Sequence, residues 1–186
     1  PLGDDGLTAY ISSGTWSLVG LELAKPVTDK SAMEFNITNE MGVDDRIRFI
    51  KNVAGMWLLE ESLDYWAGKG EHYTAAELAK AAAELPRAAV IDANDPIFEK
   101  PGAMPERIAM LCEKSNQQVP QSPAAYARCI FDSLVDAYVK VLAQLQSAAN
   151  VKINAINIVG GGSANRLLNQ LTADATGLPV YAGPSE

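Results

Sequence analysis

Ile156-Asn157-Ile158-Val159-Gly160-Gly161-Gly162-Ser163-Ala164-Asn165 reads as a buried strand, a glycine turn and the start of a helix. Glycine has no Cβ, so such a turn can take positive φ and lets a ligand come close to the backbone. Ser163 is placed to act as helix N-cap, its hydroxyl accepting from an early N–H. Leu167, Leu168, Leu171 and Ala175 then recur at helical spacing, Gly177 closes the helix and Pro179 follows it. Val180-Tyr181-Ala182 reads as a returning strand. The unit is therefore β–turn–α–β, with its turn at the carboxyl end of a strand, where open α/β sheets bind ligands. The turn is neither G-x-x-x-x-G-K-[ST] nor G-x-G-x-x-G. Spacing alone suits either a nucleotide site or a merely tight strand-to-helix turn.

Outward from this unit, composition sets the class. The chain has 186 residues, 48% hydrophobic and 20% charged, which suits one globular domain with a proper core. Its formal net charge of −8 and lack of a basic run argue against a nucleic-acid surface, because phosphate binding needs clustered Lys and Arg. No apolar stretch approaches the length of a membrane-spanning helix, and the N-terminus does not read as a signal peptide. Cys112 and Cys129 lack CxxC spacing; they suit buried free thiols, with a bridge as the other reading. The chain opens at Pro1 and stops at Pro184-Ser185-Glu186 just after a strand, so it is expected to be a piece of a longer protein.

At the other end, Pro1 to Gly6 reads as loop, followed by a hairpin. Leu7 to Ser13 and Trp16 to Leu23 are strands, with Gly14 at the tip. The tip's hydroxyls and N–H groups could donate to phosphate oxygens, or it is an ordinary glycine turn. Residues 35–40 and 46–50 alternate as half-buried strands, which makes three to four adjacent antiparallel strands. Asp44 and Asp45 lie in the turn between them, as solvated groups or as candidates for acid–base chemistry.

Helices fill the middle. Val53 to Trp66 places Met56, Leu59, Leu63 and Trp66 on one face, with Asn52 as a cap and Trp57 and Trp66 as core aromatics rather than stacking platforms. Thr74 to Leu85 starts with a capping box, Thr74 and Glu77. Ala89 to Ile91 is a short extended piece, and Pro105 to Lys114 a third helix. Ser122 and Pro123 open the longest helix, to about Ala148, whose buried stripe is Tyr126, Ile130, Leu134, Ala137, Val141 and Leu145. His72 is the only histidine and reads as a surface residue, so neither a zinc set nor a Ser-His-Asp set can be assembled around it. Antiparallel strands followed by a parallel crossover give an α/β fold, a mixed sheet with helices on its faces.

Two glycine turns at opposite ends of one such domain are what a split nucleotide site looks like, and the residues around them carry a family resemblance. They are Tyr10-Ile11-Ser12-Ser13-Gly14-Thr15-Trp16-Ser17-Leu18, Asn36-Ile37-Thr38-Asn39-Glu40, and Lys51-Asn52 with Gly55, Trp57, Leu58 and Leu59. Further on come residues 127–134, Val159-Gly160-Gly161-Gly162-Ser163, residues 167–171, Ala173-Asp174 and Gly183-Pro184. Through these the chain resembles, over nearly its whole length, the C-terminal domain of the FGGY carbohydrate kinases, in the sugar kinase, Hsp70 and actin superfamily. The G-x-G-x-x-G dehydrogenase alternative lacks its glycine pattern and following acidic residue.

The resemblance implies a ribonuclease-H-like domain with a split ATP site. Gly14 and Thr15 would sit in a phosphate loop, Thr15 near the β- and γ-phosphates. Asn52 and Glu60 would line the nucleotide pocket. Gly160, Gly161 and Gly162 would let adenosine lie on bare backbone, with Ser163 and Asn165 at its edge. The implied reaction moves the γ-phosphate of ATP, with Mg2+, to a ketose hydroxyl. L-rhamnulose, at its C1 hydroxyl, is the first substrate expected, with L-fuculose and D-xylulose as neighbours. A non-catalytic ATP-binding regulator is the other class. The family's general-base Asp lies upstream of the hairpin, before Pro1, and most sugar contacts belong to an N-terminal domain. The chain is thus expected to be a cytoplasmic half-site truncated at both ends and inactive alone. Its expected partners are ATP, a ketose, that N-terminal domain and a second copy in a homodimer, with no nucleic acid and no membrane.

Overall fold

The computed structural model describes residues 7–87 and 89–183. The loop expected for Pro1 to Gly6, and Pro184, Ser185 and Glu186, lie outside the described residues. The elements are β1 (Leu7–Ser13), β2 (Trp16–Leu23), α1 (Lys30–Glu34), β3 (Thr38–Met41), β4 (Ile47–Ala54), α2 (Trp57–Ala67), α3 (Ala75–Ala83), α4 (Met104–Lys114), α5 (Pro123–Ala149), β5 (Ile153–Val159), α6 (Arg166–Thr176) and β6 (Val180–Ala182). They form one six-stranded sheet in the order β3-β4-β2-β1-β5-β6. The four strands from β3 to β1 pair antiparallel, and β5 pairs parallel with β1 and β6. This is the mixed α/β sheet that the order of elements predicts.

The strands alternate as a two-sided sheet must. Ala9, Ile11, Val19, Leu21, Phe49, Val53, Ile156 and Ile158 are all buried, and α5 packs on β2 and β4. The predicted α5 stripe is buried from Ile130 to Leu145, while Tyr126 is half-buried and meets Trp66 edge-on at 6.2 Å. The helix is buried well beyond a stripe, however: residues 127–135 are buried without a break. It runs through the middle of the helical layer, touching α1, α2, α3 and α6 as well as the sheet. Arg128 is held there by an ion pair with Asp132 at 2.9 Å and donates to the carbonyls of Leu85 and Ala82, fixing the end of α3.

Several boundaries differ from the sequence expectation, each for a local reason. The strand expected over residues 35–40 begins only at Thr38, because α1 precedes it and Asn36 turns the chain at positive φ. Asp44 and Asp45 are both at positive φ in the β3–β4 turn, as polar turn residues tolerate. β4 runs on to Ala54, so Val53 and Asn52 belong to a strand and Asn52 caps no helix. Residues 89–91 are irregular, and side chains satisfy their backbone: Gln117 brackets Val90 through its N–H and its carbonyl, and Ser133 Oγ accepts from Ile91. The capping box of α3 and the hairpin, by contrast, match their sequence signatures. Cys112 and Cys129 are free buried thiols. Their mutual hydrogen bond, then burial, holds the Cys129 thiol up and neutral.

Beneath the hairpin lies a buried polar contact, Ser17 Oγ to the Tyr138 hydroxyl at 2.7 Å. It ties β2 to α5 across 121 residues of chain. Replacing Tyr138 with Phe leaves Ser17 Oγ without that partner in a dry site. The expected loss is about 1–2 kcal/mol, read as a lower urea midpoint at unchanged slope.

Candidate functional site: a cavity between two glycine turns

The hairpin tip is built into the start of α2. Gly14 O accepts from the Met56 N–H at 2.8 Å, and Thr15 O accepts from the Trp57 N–H at 3.1 Å. No side chain caps α2; these two carbonyls take over its first orphan N–H groups. Close approach is what makes this work. A Cβ on Gly55 would lie 2.5 Å from Gly14 O, 2.6 Å from Trp16 C and 2.7 Å from Thr15 O.

The second turn packs on the first. Gly160 has φ 81°, and a Cβ there would lie 2.8 Å from Ser13 O. A Cβ on Gly162 would lie 2.6 Å from Ser13 Cβ and 2.0 Å from Ser13 Oγ. Gly161 differs, because nothing lies within 4 Å of its hypothetical Cβ. Two of the three glycines thus serve the contact with β1, and Gly161 faces open space. Residues 161–164 form one 3-10 turn ahead of α6. That extra turn moves the cap: Asn165, not Ser163, is the N-cap, its Oδ1 accepting from the Leu168 N–H at 3.1 Å. Ser163 is buried within the turn, and its carbonyl accepts from Asn169 Nδ2 at 2.8 Å.

Between the two turns opens a cavity of about 1030 Å³, walled by α2, α3 and α6. Gly14, Glu60, Gly161, Gly162 and Asn165 all line it. Thr15, Asn52, Gly160 and Ser163 do not. Thr15 is exposed at the tip, and Asn52 is exposed on β4 opposite Leu18. The hydrophobic lining includes Leu59 and Leu63 of α2 and Leu167 of α6. The third wall is α3, whose Ala75, Ala79 and Ala83 face the cavity at a helical period. Sequence reading placed no ligand contact on this helix. The signal that could have corrected it is Leu78 and Ala82, the buried residues of that helix, which assign the core to its other face.

The cavity's ionisable lining groups are Glu60, Lys80 and Arg166. In a chain of net charge −8 the local balance is reversed, with two cations against one carboxylate. Among the described residues none of the three is in an ion pair. A cavity with a glycine-opened floor, an apolar waist and a locally positive lining suits an anionic ligand that has an apolar body. His72 is exposed and does not line it. Among the described residues no group of three or more His, Cys, Asp or Glu could hold a metal ion, and no helix is long and apolar enough to cross a membrane.

Residues 9–186 match the FGGY family of carbohydrate kinases, C-terminal domain. The chain is similar to a protein named rhamnulokinase from Mannheimia succiniciproducens, 44% identical over all of this chain and 38% of that protein. It is also similar to one from Enterococcus faecalis, 45% identical over all of this chain and 37% of that protein. It thus spans less than two fifths of the length of these relatives. Among solved structures it superposes on a xylulose kinase from Rhodospirillum rubrum, with TM-score 0.66, 16% identity and coverage of 96% of this chain and 35% of that one. A Plasmodium falciparum glycerol kinase with ADP superposes with TM-score 0.61, 11% identity and coverage of 95% and 35%. These kinases share its fold, a sheet flanked by helices. By sequence and by fold, the chain belongs to the FGGY carbohydrate kinases, as their C-terminal domain.

Proposed function

We propose that this chain is the ATP-binding half of a kinase that transfers the γ-phosphate of MgATP to a ketose hydroxyl, that on C1 of L-rhamnulose first. The observation that carries the reading is the cavity itself, where the Gly14 hairpin and the Gly161–Gly162 turn open onto one apolar space. L-rhamnulose is put ahead of L-fuculose and D-xylulose because relatives at 44% and 45% identity bear the name rhamnulokinase. On this reading the protein is cytoplasmic, and its partners are ATP, the ketose, the N-terminal domain of the same protein and a second copy in a homodimer.

Phosphoryl transfer depends on positioning and charge stabilisation more than on covalent chemistry by the protein. Each part of the site has a task in that scheme. The Gly14 hairpin tip holds the β- and γ-phosphates at the cavity wall, with the Thr15 hydroxyl, exposed at the tip outside the lining, reaching them from beside it. Gly161 offers bare backbone to the nucleoside. Leu59, Leu63, Leu167 and the α3 alanines exclude water from the base, and Lys80 and Arg166 offset phosphate charge. The donor set fits magnesium that arrives on the triphosphate, since the cavity's one lining carboxylate, with no group of three or more His, Cys, Asp or Glu among the described residues, makes no protein cage. Bound so, Mg2+ would neutralise charge building on the phosphates. The general base is proposed to be an Asp on the N-terminal side of Pro1.

The test is ketose-dependent ADP release by the full-length protein with MgATP, offered L-rhamnulose, L-fuculose and D-xylulose in parallel. Release with L-rhamnulose well above the other two is expected, and none from the 186 residues alone. ATP binding without release on any sugar would move the protein to the regulator class. Release from the isolated chain would refute the half-site reading.

A further inference from the structure

We infer that a second cavity, just past the end of α3, binds a small hydroxylated phosphate monoester, and that its occupation tightens nucleotide binding on the other side of that helix. The site itself stands without the nucleotide reading; only the coupling rests on it.

The cavity measures about 450 Å³ and lies where the chain leaving α3 meets the 117–121 loop and the start of α5. That is room for a small metabolite, since small-molecule sites run from roughly 300 to 1000 Å³. Its ionisable lining groups are Arg87 and Arg128, and among the described residues no carboxylate lines it. Neither guanidinium is fully spent on the fold. Arg87 is exposed and makes no ion pair or hydrogen bond among the described residues. Arg128 is only 8% exposed. Its Nε is paired with Asp132 and its Nη1 donates to the Leu85 and Ala82 carbonyls, but its Nη2 donates to no group among the described residues. A buried guanidinium that lines a cavity therefore keeps two N–H donors for a ligand. Ala125, in the first turn of the 27-residue α5, also lines the cavity, so the positive end of a long helix dipole adds to the field.

Chemistry then selects the ligand. A guanidinium fork matches phosphate oxygens. A phosphate monoester puts about two negative charges and three acceptor oxygens on one centre, enough for both arginines. Amides line the cavity beside them. The Gln118 side chain has no hydrogen-bond partner among the described residues. Gln121 Nε2 donates to Val119 O at 2.8 Å, which leaves its Oε1 to accept from a hydroxyl. Leu85, Pro86 and Val119 offer apolar surface to a carbon skeleton.

The coupling runs through α3. Arg128 holds the carbonyls of Ala82 and Leu85 at the end of that helix, while Ala79 and Ala83 wall the nucleotide cavity. An anion on Nη2 displaces neither carbonyl; it fixes the guanidinium and, through it, the end of α3. A wall already ordered costs less to order when the nucleotide binds, and by linkage the nucleotide tightens the anion by the same factor. The simpler reading makes Arg128 a clamp between α3 and α5 and the cavity a surface recess. That reading predicts no anion binding at all.

The experiment titrates the full-length protein by calorimetry with glucose 6-phosphate, inorganic phosphate, glucose and malate, for wild type, Arg87→Gln and Gln118→Ala. Wild type is expected to bind glucose 6-phosphate, to bind inorganic phosphate at least about tenfold more weakly, and to bind neither glucose nor malate, whose two carboxylates match the charge alone. Arg87→Gln should weaken glucose 6-phosphate at least about tenfold, as loss of a charge-assisted bond, and leave ATP affinity in its absence unchanged. Gln118→Ala should bring glucose 6-phosphate toward the affinity of inorganic phosphate. Saturating glucose 6-phosphate should tighten ATP binding about threefold in wild type and not in Arg87→Gln, a modest coupling. The site is overturned if wild type does not bind glucose 6-phosphate, if Arg87→Gln binds it as wild type does, or if malate or inorganic phosphate matches it. Weaker ATP binding in its presence would place it in the nucleotide cavity and also overturn the site. Unchanged ATP affinity overturns the coupling alone. Failure of ATP to bind under any condition removes the nucleotide reading, while the anion titrations still decide the site. Urea unfolding of each variant separates lost binding from lost fold.

Discussion

Replacing Gly55 with alanine is expected to lower folding stability by about 4 kcal/mol and to abolish ATP binding with it. Gly55 is not at positive φ; its need is for space. The added methyl would meet Gly14 O, Trp16 C and Thr15 O, all within 2.7 Å. Every one of these is backbone, so no rotamer change relieves the clash. Either α2 or the hairpin tip must retreat. Retreat lengthens the Met56 and Trp57 bonds to the tip, leaving helix N–H groups and hairpin carbonyls without partners. Overpacking alone costs about 1–3 kcal/mol, and each buried group left unpaired adds about 1–3 kcal/mol. The same movement takes Gly14 out of the cavity wall. Urea unfolding followed by tryptophan emission measures the first effect and calorimetric ATP titration the second. Wild-type stability and affinity together would show that the tip is not anchored by α2.

Gly55 also shows how far sequence reading reached. It appeared in the family resemblance, yet nothing local marks it as a contact point. Its neighbours are 40 residues away in the chain, at the tip of a hairpin that was itself read from period and a turn glycine. The same separation explains the misplaced start of α2. Val53 and Ala54 are apolar and run straight into Met56, so strand and helix share one unbroken apolar stretch. What starts the helix is a pair of main-chain carbonyls from the hairpin rather than a capping side chain. Thr74 and Glu77 were legible because that cap is local, four residues of chain satisfying one another. Ser163 was read as the cap, and the cap falls on Asn165 because a 3-10 turn, packed on Ser13 through Gly162, comes before the helix. The nucleotide candidates therefore divide by cause. Gly14, Glu60, Gly161, Gly162 and Asn165 line the cavity: the two glycine turns were legible locally, though not as ligand sites, and Glu60 and Asn165 were named only through the family resemblance. Thr15, Asn52, Gly160 and Ser163 fall outside its lining: Thr15 is exposed at the tip, Asn52 is set by the register of β4, Gly160 packs on Ser13 and Ser163 is buried in the extra turn. The α3 wall was missed because alanine carries little information until a cavity is seen beside it.

Gly162→Ala and Gly161→Ala should separate packing from ligand contact in one pair of adjacent residues. Gly162→Ala is expected to cost about 2–3 kcal/mol, as overpacking at a site with no slack. Its methyl would sit 2.6 Å from Ser13 Cβ, and Ser13 O is only 3.1 Å away, so turning Ser13 Oγ aside is not enough. Ser13 is buried against the glycine turn and close to the Tyr138 hydroxyl that Ser17 bonds, so its side chain fills the space a Gly162 methyl would need. Ser13→Gly should therefore make room, and the double variant Ser13→Gly with Gly162→Ala should recover part of the loss. That recovery appears as a coupling energy of about 1 kcal/mol or more in a double-mutant cycle. Gly161→Ala meets nothing within the chain. Its stability should stay within about 0.5 kcal/mol of wild type, as for a surface substitution. Its methyl projects toward the space assigned to the nucleotide, so ATP affinity should fall at least tenfold while the urea midpoint holds. If Gly161→Ala binds ATP as wild type does, the glycine turn is a packing device throughout and the nucleotide does not lie on it.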